Sequence, residues 1–298
     1  MNPEIRFWNP HLSKFQTEVV YGEKWLRFSY ENFLGRIGLW AMVQRIWFSK
    51  WYGNKMNRSN SRSKILPFIE KYNINKNEFL EEAESFQSFN HFFYRKLKPE
   101  SRPINTDERS IVFPADGRHL VFPNLSETSQ VYAKGQSFNL AQLFGCSNLA
   151  NSYCEGSLII SRLCPVDYHR FHFPVSGNHG SPKLVNGKLF SVNPIALRKK
   201  VSIFWENKRY ISVIQNNRLG KVVQILVGAT CVGSVHFTAT KNSSVVKGEE
   251  CGYFSFGGSC VMTFFLPRVI SFEKQLVKIS SQGLESYAKV GEKMGWMN

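Results

Sequence analysis

The chain has 298 residues, of which 43% are apolar and 14% aromatic, so it is long enough and apolar enough to bury a core. This composition excludes an intrinsically disordered chain, and 21 Gly with 12 Pro exclude a collagen-like or low-complexity one. The net charge of +16 favours an anionic partner, which can be nucleic acid, an acidic membrane surface or an anionic metabolite.

Six cysteines occur, and no two of them form a Cys-x-x-Cys pair. A zinc knuckle or a thioredoxin-like redox site therefore has no support. The N-terminal sequence also lacks the basic and apolar segments of a secretory signal. We therefore expect reduced, mostly buried thiols in a cytosol-facing protein.

Residues 1–100 are predicted to be helical, because apolar residues recur at helical spacing through 15–50 and again near 64–97. Within this region the polar, Ser-rich tract 55–64 is predicted to be a loop between helices. The segment 75–78 resembles the start of a helix, because Asn residues precede a Glu and an apolar pair.

The segment 33–48 is the best candidate for membrane contact. It is shorter than the ~20 apolar residues of a transmembrane helix, and Arg36 and Arg45 interrupt it. On a helical wheel one arc gathers apolar side chains, namely Leu39, Trp40, Met42, Val43, Ile46 and Trp47. The first 60 residues hold nine Lys and Arg against four Glu. Two interpretations stay open: a helix packed on its own domain, and a helix lying in an anionic membrane interface.

After residue 105 the chain changes to short β-rich runs separated by turn signals. The predicted strands are 157–163, 201–205, 210–215, 222–227, 253–256 and 260–266. Polar links at 206–209 and 216–220 predict a three-stranded antiparallel meander. The predicted fold class is therefore α+β, with an N-terminal helical, membrane-associating region (1–100) and a mostly antiparallel β-barrel or β-sandwich domain (101–298) that holds any catalytic site.

Candidate catalytic residues are few, since the chain has only three Asp and seven His. Asp116 lies in Pro-Ala-Asp-Gly, which is typical of a tight turn, so a structural turn residue is one interpretation. His169 and His172 follow Asp167 in a segment with prolines at both ends. No third metal ligand is obvious there, so no metal site is predicted. Acid–base use and structural hydrogen bonding both stay open for the two histidines.

Gly258 and Ser259 stand between two predicted strands, where glycines weaken a strand and mark a bulge or a close backbone approach. The absence of a side chain on Gly258 leaves its carbonyl open to attack by the Ser259 hydroxyl. A plain β-bulge is the alternative. The sequence around Ser259 lacks the Gly-x-Ser-x-Gly elbow of α/β-hydrolases, which makes that fold a poor fit.

Taken in order, these motifs resemble the phosphatidylserine decarboxylase family of pyruvoyl-dependent enzymes. The resemblance covers most of the chain after residue 86 and rests on nine segments: 89–99, 102–104, 114–117, 167–172, 227–229, 232–235, 247–249, 252–254 and 258–259. Each segment is weak alone, whereas all of them in order are specific. Cys260 departs from the Gly-Ser-Thr that is usual in the family, and we expect processing to survive because cysteine and threonine are similar in size.

The resemblance implies a proenzyme that cuts itself between Gly258 and Ser259. Ser259 would attack the Gly258 carbonyl to form an ester, and β-elimination would lead to a pyruvoyl group derived from Ser259. The products would be a β chain (1–258) and an α chain (259–298). The resemblance further implies that Asp116 orients His172, which takes the proton from Ser259. It assigns His169 to the decarboxylation.

The implied reaction converts phosphatidylserine to phosphatidylethanolamine and CO2 through a Schiff base between the covalent pyruvoyl cofactor and the substrate amine. The implied partners are the lipid, an anionic membrane surface and a second copy in a homodimer, and not nucleic acid. The implied location is peripheral, on the cytoplasmic side of the cell membrane. Two other functions stay open: a serine hydrolase using Asp116, His172 and Ser259 in an intact chain, and a non-enzymatic basic protein that binds membrane or nucleic acid.

Overall fold

The computed structural model describes residues 4–298 except 39–45, 128–129, 132, 135, 230–234 and 258. The helices of this part are α1 (Glu23–Glu31), α2 (Phe33–Gly38), α3 (Ile46–Asn57), α4 (Ile65–Tyr72), α5 (Phe89–Phe93), α6 (Leu140–Phe144), α7 (Ser147–Asn151), α8 (Pro194–Leu197), α9 (Ile203–Glu206) and α10 (Lys274–Ser281). The strands are β1 (Arg6–Asn9), β2 (Lys14–Thr17), β3 (Ser110–Val112), β4 (Gly117–Phe122), β5 (Gln130–Val131), β6 (Ala133–Lys134), β7 (Ser157–Leu163), β8 (Arg170–His172), β9 (Gly177–His179), β10 (Lys183–Val185), β11 (Arg209–Asn216), β12 (Gly220–Gly228), β13 (Val235–Phe237), β14 (Ser243–Val245), β15 (Glu250–Phe254), β16 (Ser259–Phe265), β17 (Ile270–Phe272), β18 (Glu285–Ala288) and β19 (Lys293–Met297).

One large sheet organises the fold, with the strand order β14-β9-β11-β12-β16-β7-β4-β18-β1-β2 and with β10 paired to β11. Neighbouring strands pair antiparallel, apart from β1 and β18, which pair parallel. Over the described residues this path ends at β14 and at β2, so the expected closed barrel is wrong. The α+β class with a mostly antiparallel sheet is confirmed.

Both faces of the large sheet are buried, which explains why its central strands are apolar throughout. In β12, Val223 and Ile225 join the apolar cluster on one face, whereas Val222 and Leu226 join the cluster on the other. Residues of α6, α8 and α9 cover the first face. The smaller sheets β13-β15-β8 and β17-β19-β3 supply residues that cover the second. Burial on both faces removes the apolar–polar alternation that a one-sided sheet would have.

The predicted strands in the second half of the chain are confirmed apart from 201–205 and from the last two residues of 253–256, which belong to the turn after β15. The run 201–205 forms a turn and helix α9, because Ile203 and Phe204 pack into the core from a helix. The meander therefore loses its first strand, and the link 206–209 is not a hairpin. The link 216–220 is the hairpin between β11 and β12, with Asn216 opposite Gly220.

The helical prediction for residues 1–100 is wrong for residues 6–17, which form the hairpin of β1 and β2 at the edge of the large sheet. Helices α1 to α5 follow. The tract 55–64, predicted as a loop, holds the end of α3 and a 3₁₀ turn. The start predicted at 75–78 is a 3₁₀ turn capped by Asn75, with no α-helix directly after it.

The N-terminal helices expose an unusual amount of apolar surface. In the described part of the chain no helix is long and apolar enough to cross a membrane. Most of the predicted membrane-facing arc, at 39–45, lies outside the described residues. On either side of it α1, α2 and α3 expose large apolar side chains, namely Trp25, Phe28, Phe33, Leu34, Ile37, Trp47 and Trp51. We call these seven residues the aromatic face.

A third apolar cluster joins α3, α4 and α5 to the chain just before Ser259. It contains buried residues of all three helices, namely Met56, Ile65, Phe68, Ile69, Phe89, Phe92 and Phe93, together with Phe256. Phe256 comes from the turn between β15 and β16. The N-terminal helices therefore pack directly against the segment that the sequence analysis identified as the cleavage site.

Candidate active site

Ser259 is the first residue of β16 and lies in the middle of the large sheet. It pairs with Leu163 of β7 on one side and with Gly228 of β12 on the other. Its side chain is fully buried, and among the described residues its Oγ has no hydrogen-bond partner. A buried hydroxyl without a partner is costly and therefore unusual, so this position is a strong candidate for chemistry.

The turn before Ser259 has a backbone that favours glycine. Gly257 has φ 135°, a conformation that residues with a side chain rarely adopt. The N–H of Phe256 donates to Oδ1 of Asn90 at 2.8 Å. Gly258 lies outside the described residues, so the predicted approach of Ser259 to its carbonyl is a prediction only.

His169 lies next to this turn. Its carbonyl accepts from the N–H of Phe254, and its ring packs on Phe93 with 3.8 Å between ring centres. Nδ1 lies 3.0 Å from the Asp167 carbonyl. Burial lowers its pKa to about 3, although the backbones of Asp167 and Gly257 act in the opposite direction. His169 is therefore neutral at pH 7, and the Asp167 carbonyl favours a proton on Nδ1.

His172 ends strand β8 and is also neutral. Its Nδ1 lies 2.9 Å from the Gly248 carbonyl, which holds the proton on that nitrogen. Nε2 is buried and has no hydrogen-bond partner in the described part of the chain. Burial lowers the pKa of His172, and the Gly248 carbonyl, Glu250 and Asp116 only partly offset this effect. The ring thus has the tautomer that a general base needs, with an unprotonated Nε2.

Asp116 is buried beside these groups, and its oxygens are occupied by other partners. Arg102 donates to both oxygens, at 3.0 and 2.6–2.9 Å, and the N–H of Val290 donates to Oδ1 at 2.9 Å. The predicted contact between Asp116 and His172 is therefore replaced by the Gly248 carbonyl. Asp116 reaches His172 through its charge, which favours the protonated ring.

The strand register separates the two histidines with respect to Ser259. His169 lies opposite Phe254, at the end of β15 that leads into the turn, whereas His172 lies opposite Glu250. The His172 carbonyl accepts from the side chain of Gln224, four residues along β12 from the partner of Ser259. In this uncut chain the His169 backbone is therefore the nearer of the two to the turn.

A pocket of about 640 Å³ leads from the N-terminal helices to this turn. At its outer end it is lined by Trp25 and Lys71, and at its inner end by Leu163, Phe256 and Gly257. Most of its lining is apolar. The pocket therefore connects the region of the aromatic face with the strand pair that contains Ser259.

The inner wall of the pocket carries a buried ionic network. Arg162 lies between Glu18 and Glu285, at 2.5 and 2.6 Å, and Arg118 pairs with Asp167 and lies 3.7 Å from Glu18. Burial opposes ionisation of Glu18, but the two arginines outweigh it and lower its pKa to about 2. Glu18 is therefore ionised at neutral pH, and its contact with Arg162 joins the N-terminal segment to the strand beside Ser259.

Comparison with known proteins assigns the chain to a family. A sequence model of the phosphatidylserine decarboxylase family matches residues 89–295. The chain belongs to the phosphatidylserine decarboxylase family. It is 44% identical over 292 residues to the phosphatidylserine decarboxylase proenzyme of Chlamydia muridarum, covering 98% of this chain and 97% of that one. The proenzyme of Clostridium novyi is 40% identical, and the match covers 98% of this chain and 99% of that one. The proenzyme of Fusobacterium nucleatum is 39% identical, and the match covers 98% of this chain and 97% of that one.

The family match begins at α5 and contains every site residue that the sequence analysis named. Three residues of the site were not predicted, namely Asn90, Phe93 and Arg102, although all three lie in segments that carry the resemblance. The buried ion pair between Glu18 and Arg162 was not predicted either. Arg162 had a signal, since it is the one charged residue in the apolar run 157–163, whereas Glu18 had none in the sequence.

Proposed function

We propose that this chain is a phosphatidylserine decarboxylase that matures by cutting itself between Gly258 and Ser259. The observation that carries the proposal is the fully buried hydroxyl of Ser259 at the start of a central strand, which has no hydrogen-bond partner among the described residues, in a member of this family. The serine hydrolase and the non-enzymatic binding protein are the alternatives, and family membership does not favour either.

In the proposed cleavage the Ser259 Oγ attacks the Gly258 carbonyl and gives up its proton to a base. The amide bond becomes an ester, and the amino group of Ser259 is freed. Removal of the Ser259 Cα proton then expels the Gly258 carboxylate and leaves a dehydroalanine. One water replaces its nitrogen, which leaves as ammonia, so that a pyruvoyl group remains at position 259.

His172 is the proposed base for the attack. Its neutral ring, with Nδ1–H directed at the Gly248 carbonyl, leaves Nε2 free to take the hydroxyl proton. Asp116 supports the positive ring by its charge, since its own oxygens are occupied by Arg102 and the N–H of Val290.

The residues around position 259 suit a pyruvoyl group, because the buried site already holds a polar atom that no described residue hydrogen-bonds. The group supplies an electron sink for the electron pair released when CO2 leaves. His169 is the proposed proton carrier. Its Nε2 lone pair takes a proton from the substrate ammonium group and returns it to the carbon that loses CO2.

The apolar pocket is the proposed path of the lipid from the membrane to position 259. The aromatic face on α1 to α3 is the proposed contact with the interface, where Trp side chains are favoured. Together with the net charge of +16 it suits a peripheral enzyme on an anionic, cytoplasmic leaflet. The homodimer implied by the resemblance remains a prediction.

The test is intact-mass analysis of the wild-type chain under denaturing conditions beside the Ser259→Ala variant. We expect fragments 1–258 and 259–298 for the wild type, the smaller one blocked by a keto group, and one uncut chain for the variant. Ser255→Ala, in the same turn, is the matched control and should be cut. An uncut wild type that reacts with a fluorophosphonate would favour the hydrolase, and an uncut, unreactive one would favour the binding protein.

The two histidine roles are tested in the same assay. His172→Ala should stay uncut, whereas His169→Ala should be cut and should lose decarboxylation of phosphatidylserine. Because the His169 backbone lies nearer the turn in the uncut chain, the reverse pattern is an informative outcome. An uncut His169→Ala beside a cut His172→Ala would exchange the two assignments.

A further inference from the structure

Asn90 of α5 is a buried amide within an apolar helix cluster. Only 4% of its surface is exposed, and its neighbours Phe89, Phe92 and Phe93 are all part of the apolar cluster. Both ends of its side chain are hydrogen-bonded. Oδ1 accepts from the N–H of Phe256 at 2.8 Å, and Nδ2 donates to Oδ1 of Asn57 at 2.6 Å. A polar side chain in such a place is retained only if its bonds matter.

The group held by Asn90 belongs to the turn that precedes the scissile bond. Phe256 stands three residues before Ser259, and the two residues between them are glycines. Glycine backbones have the largest conformational freedom, which must be lost when the turn is fixed. The Phe256 N–H is therefore a backbone group that a side chain holds immediately before the two glycines.

The same helix also contacts His169. The Phe93 ring lies 3.8 Å from the His169 ring and 4.9 Å from the Phe256 ring, measured between ring centres. The Phe89 ring lies 5.1 Å from that of Phe256. Helix α5 thus fixes the upstream side of the turn by one hydrogen bond and by ring packing at once.

We propose that Asn90 is a positioning residue for self-cleavage. By fixing the Phe256 N–H, it restricts where the Gly257-Gly258 backbone can place the carbonyl that Ser259 attacks. Two groups that the fold already holds in the reacting geometry react faster, because their conformational entropy is lost before the reaction step. This inference rests on the proposed function, since it concerns the same cleavage.

The test follows the appearance of fragment 259–298 after pulse-labelled cell-free synthesis of the full chain. Asn90→Ala should slow cleavage at least tenfold, and a tenfold change corresponds to about 1.4 kcal/mol in the barrier. Asn90→Asp keeps an oxygen toward the Phe256 N–H, and the exposed Asn57 amide can turn to donate to it, so this variant should cleave at close to the wild-type rate. Asn57→Ala, which breaks only the other bond, is the matched control.

A positioning role also predicts which step slows. Hydroxylamine cleaves an accumulated ester, so it should not accelerate fragment release in Asn90→Ala, where formation of the ester is the slow step. Folding is checked by the melting temperature of each variant combined with Ser259→Ala. If Asn90→Ala does not fold, Asn90→Gln replaces it, because it retains the amide and displaces the oxygen by one methylene.

The outcomes separate this inference from the proposed function. An uncut wild type would overturn the proposed function itself. If the wild type is cut and Asn90→Ala, or the Asn90→Gln variant that replaces it, is cut at the same rate, the inference alone is overturned. The inference is also overturned if Asn90→Asp and Asn90→Ala are slowed equally, or if the ester intermediate accumulates in Asn90→Ala. Slow cleavage in Asn90→Ala, rescue in Asn90→Asp and no effect of Asn57→Ala would support it.

Discussion

Burial sets the protonation state of both histidines at the site. His169 and His172 are each bonded through Nδ1 to a backbone carbonyl, and each presents a buried Nε2 without a partner among the described residues. The carbonyls fix the tautomer, while the apolar surroundings disfavour the charged ring. Neutral imidazoles with a free Nε2 are proton acceptors, which is the state required at the start of both proposed steps.

The pH dependence of cleavage follows from the lowered pKa of His172. The base must be neutral, so the cleavage rate should stay constant as the pH falls through 6.5, the ordinary pKa of histidine. The rate should decline only at more acidic pH, where the buried ring takes up a proton. The measurement is the rate of fragment release against pH for wild-type chain made by cell-free synthesis. A decline centred at or above pH 6.5 would contradict the structural environment of His172.

The partners of Asp116 show where prediction from residue patterns stops. The motif identified the residue, and the resemblance implied that it orients His172. In the fold, Arg102 and the N–H of Val290 occupy its oxygens, and Gly248 takes the orienting place. Val290 and Gly248 are far from Asp116 and from His172, respectively, in the sequence. A backbone carbonyl or N–H carries no sequence signature, so this exchange could not be predicted.

At the scale of elements, the N-terminal hairpin is joined to the sheet by an ionic contact as well as by strand pairing. Glu18 follows β2 and is buried against Arg162. Glu18→Ala removes one of two carboxylates from a buried guanidinium and should lower the free energy of unfolding by about 3 kcal/mol. Urea unfolding of the uncut Ser259→Ala chain measures this.

The matched control for Glu18→Ala is Glu23→Ala. Glu23 pairs with Arg27 across one turn of α1, on the surface. Exposed pairs of this kind contribute about 0.5 kcal/mol or less. A loss of similar size in both variants would mean that burial of the Glu18 pair adds nothing to its contribution.

The aromatic face makes a second prediction for the N-terminal elements. Trp25, Trp47 and Trp51 are 73%, 55% and 55% exposed. Replacing all three with serine should reduce binding to vesicles of phosphatidylserine and phosphatidylcholine at least tenfold, since Trp side chains favour the interface. Cosedimentation with vesicles measures binding. Leu184→Ser, at an apolar residue 41% exposed on β10, is the control. Equal binding by the triple variant and the wild type would exclude this face.

Strands were predicted correctly where the strand pairs with a neighbour that is close in the sequence, or where the strand is fully buried. The runs 157–163 and 222–227 are apolar because both sheet faces are covered. The run 201–205 has similar composition, but short apolar runs do not distinguish a strand from a buried helical turn. The hairpin at 6–17 was missed because its partner, β18, comes from the other end of the chain.

At the scale of the whole molecule, the sheet order brings together segments that the sequence keeps far apart. Strand β16 carries Ser259 between β7 and β12, and the pocket beside it takes its outer wall from the N-terminal helices. The family resemblance predicts that Ser259, His169 and His172 belong to one site. The sequence does not predict how these residues lie relative to one another, because that depends on how strand β8 pairs with β15.

The stability of the molecule should depend on pH through its buried neutral histidines. His119 is the cleanest case, since it lies outside the proposed chemistry. Its Nδ1 lies 3.0 Å from Oγ of Ser161, and its ring packs on Phe113 at 4.4 Å between ring centres. Burial lowers its pKa to about 3, from 6.5 in an unperturbed histidine.

The unfolded chain therefore takes up a proton on His119 at a higher pH than the folded chain. The stabilisation is complete above pH 6.5 and is lost progressively as the pH falls toward 3. In the uncut Ser259→Ala chain, the free energy of unfolding should fall by about 1.4 kcal/mol more per pH unit than in the same chain with His119→Gln, between pH 6 and 4. Urea unfolding at several pH values measures both slopes. Because the comparison cancels the titration of all other groups, equal slopes would mean that His119 takes up its proton without unfolding.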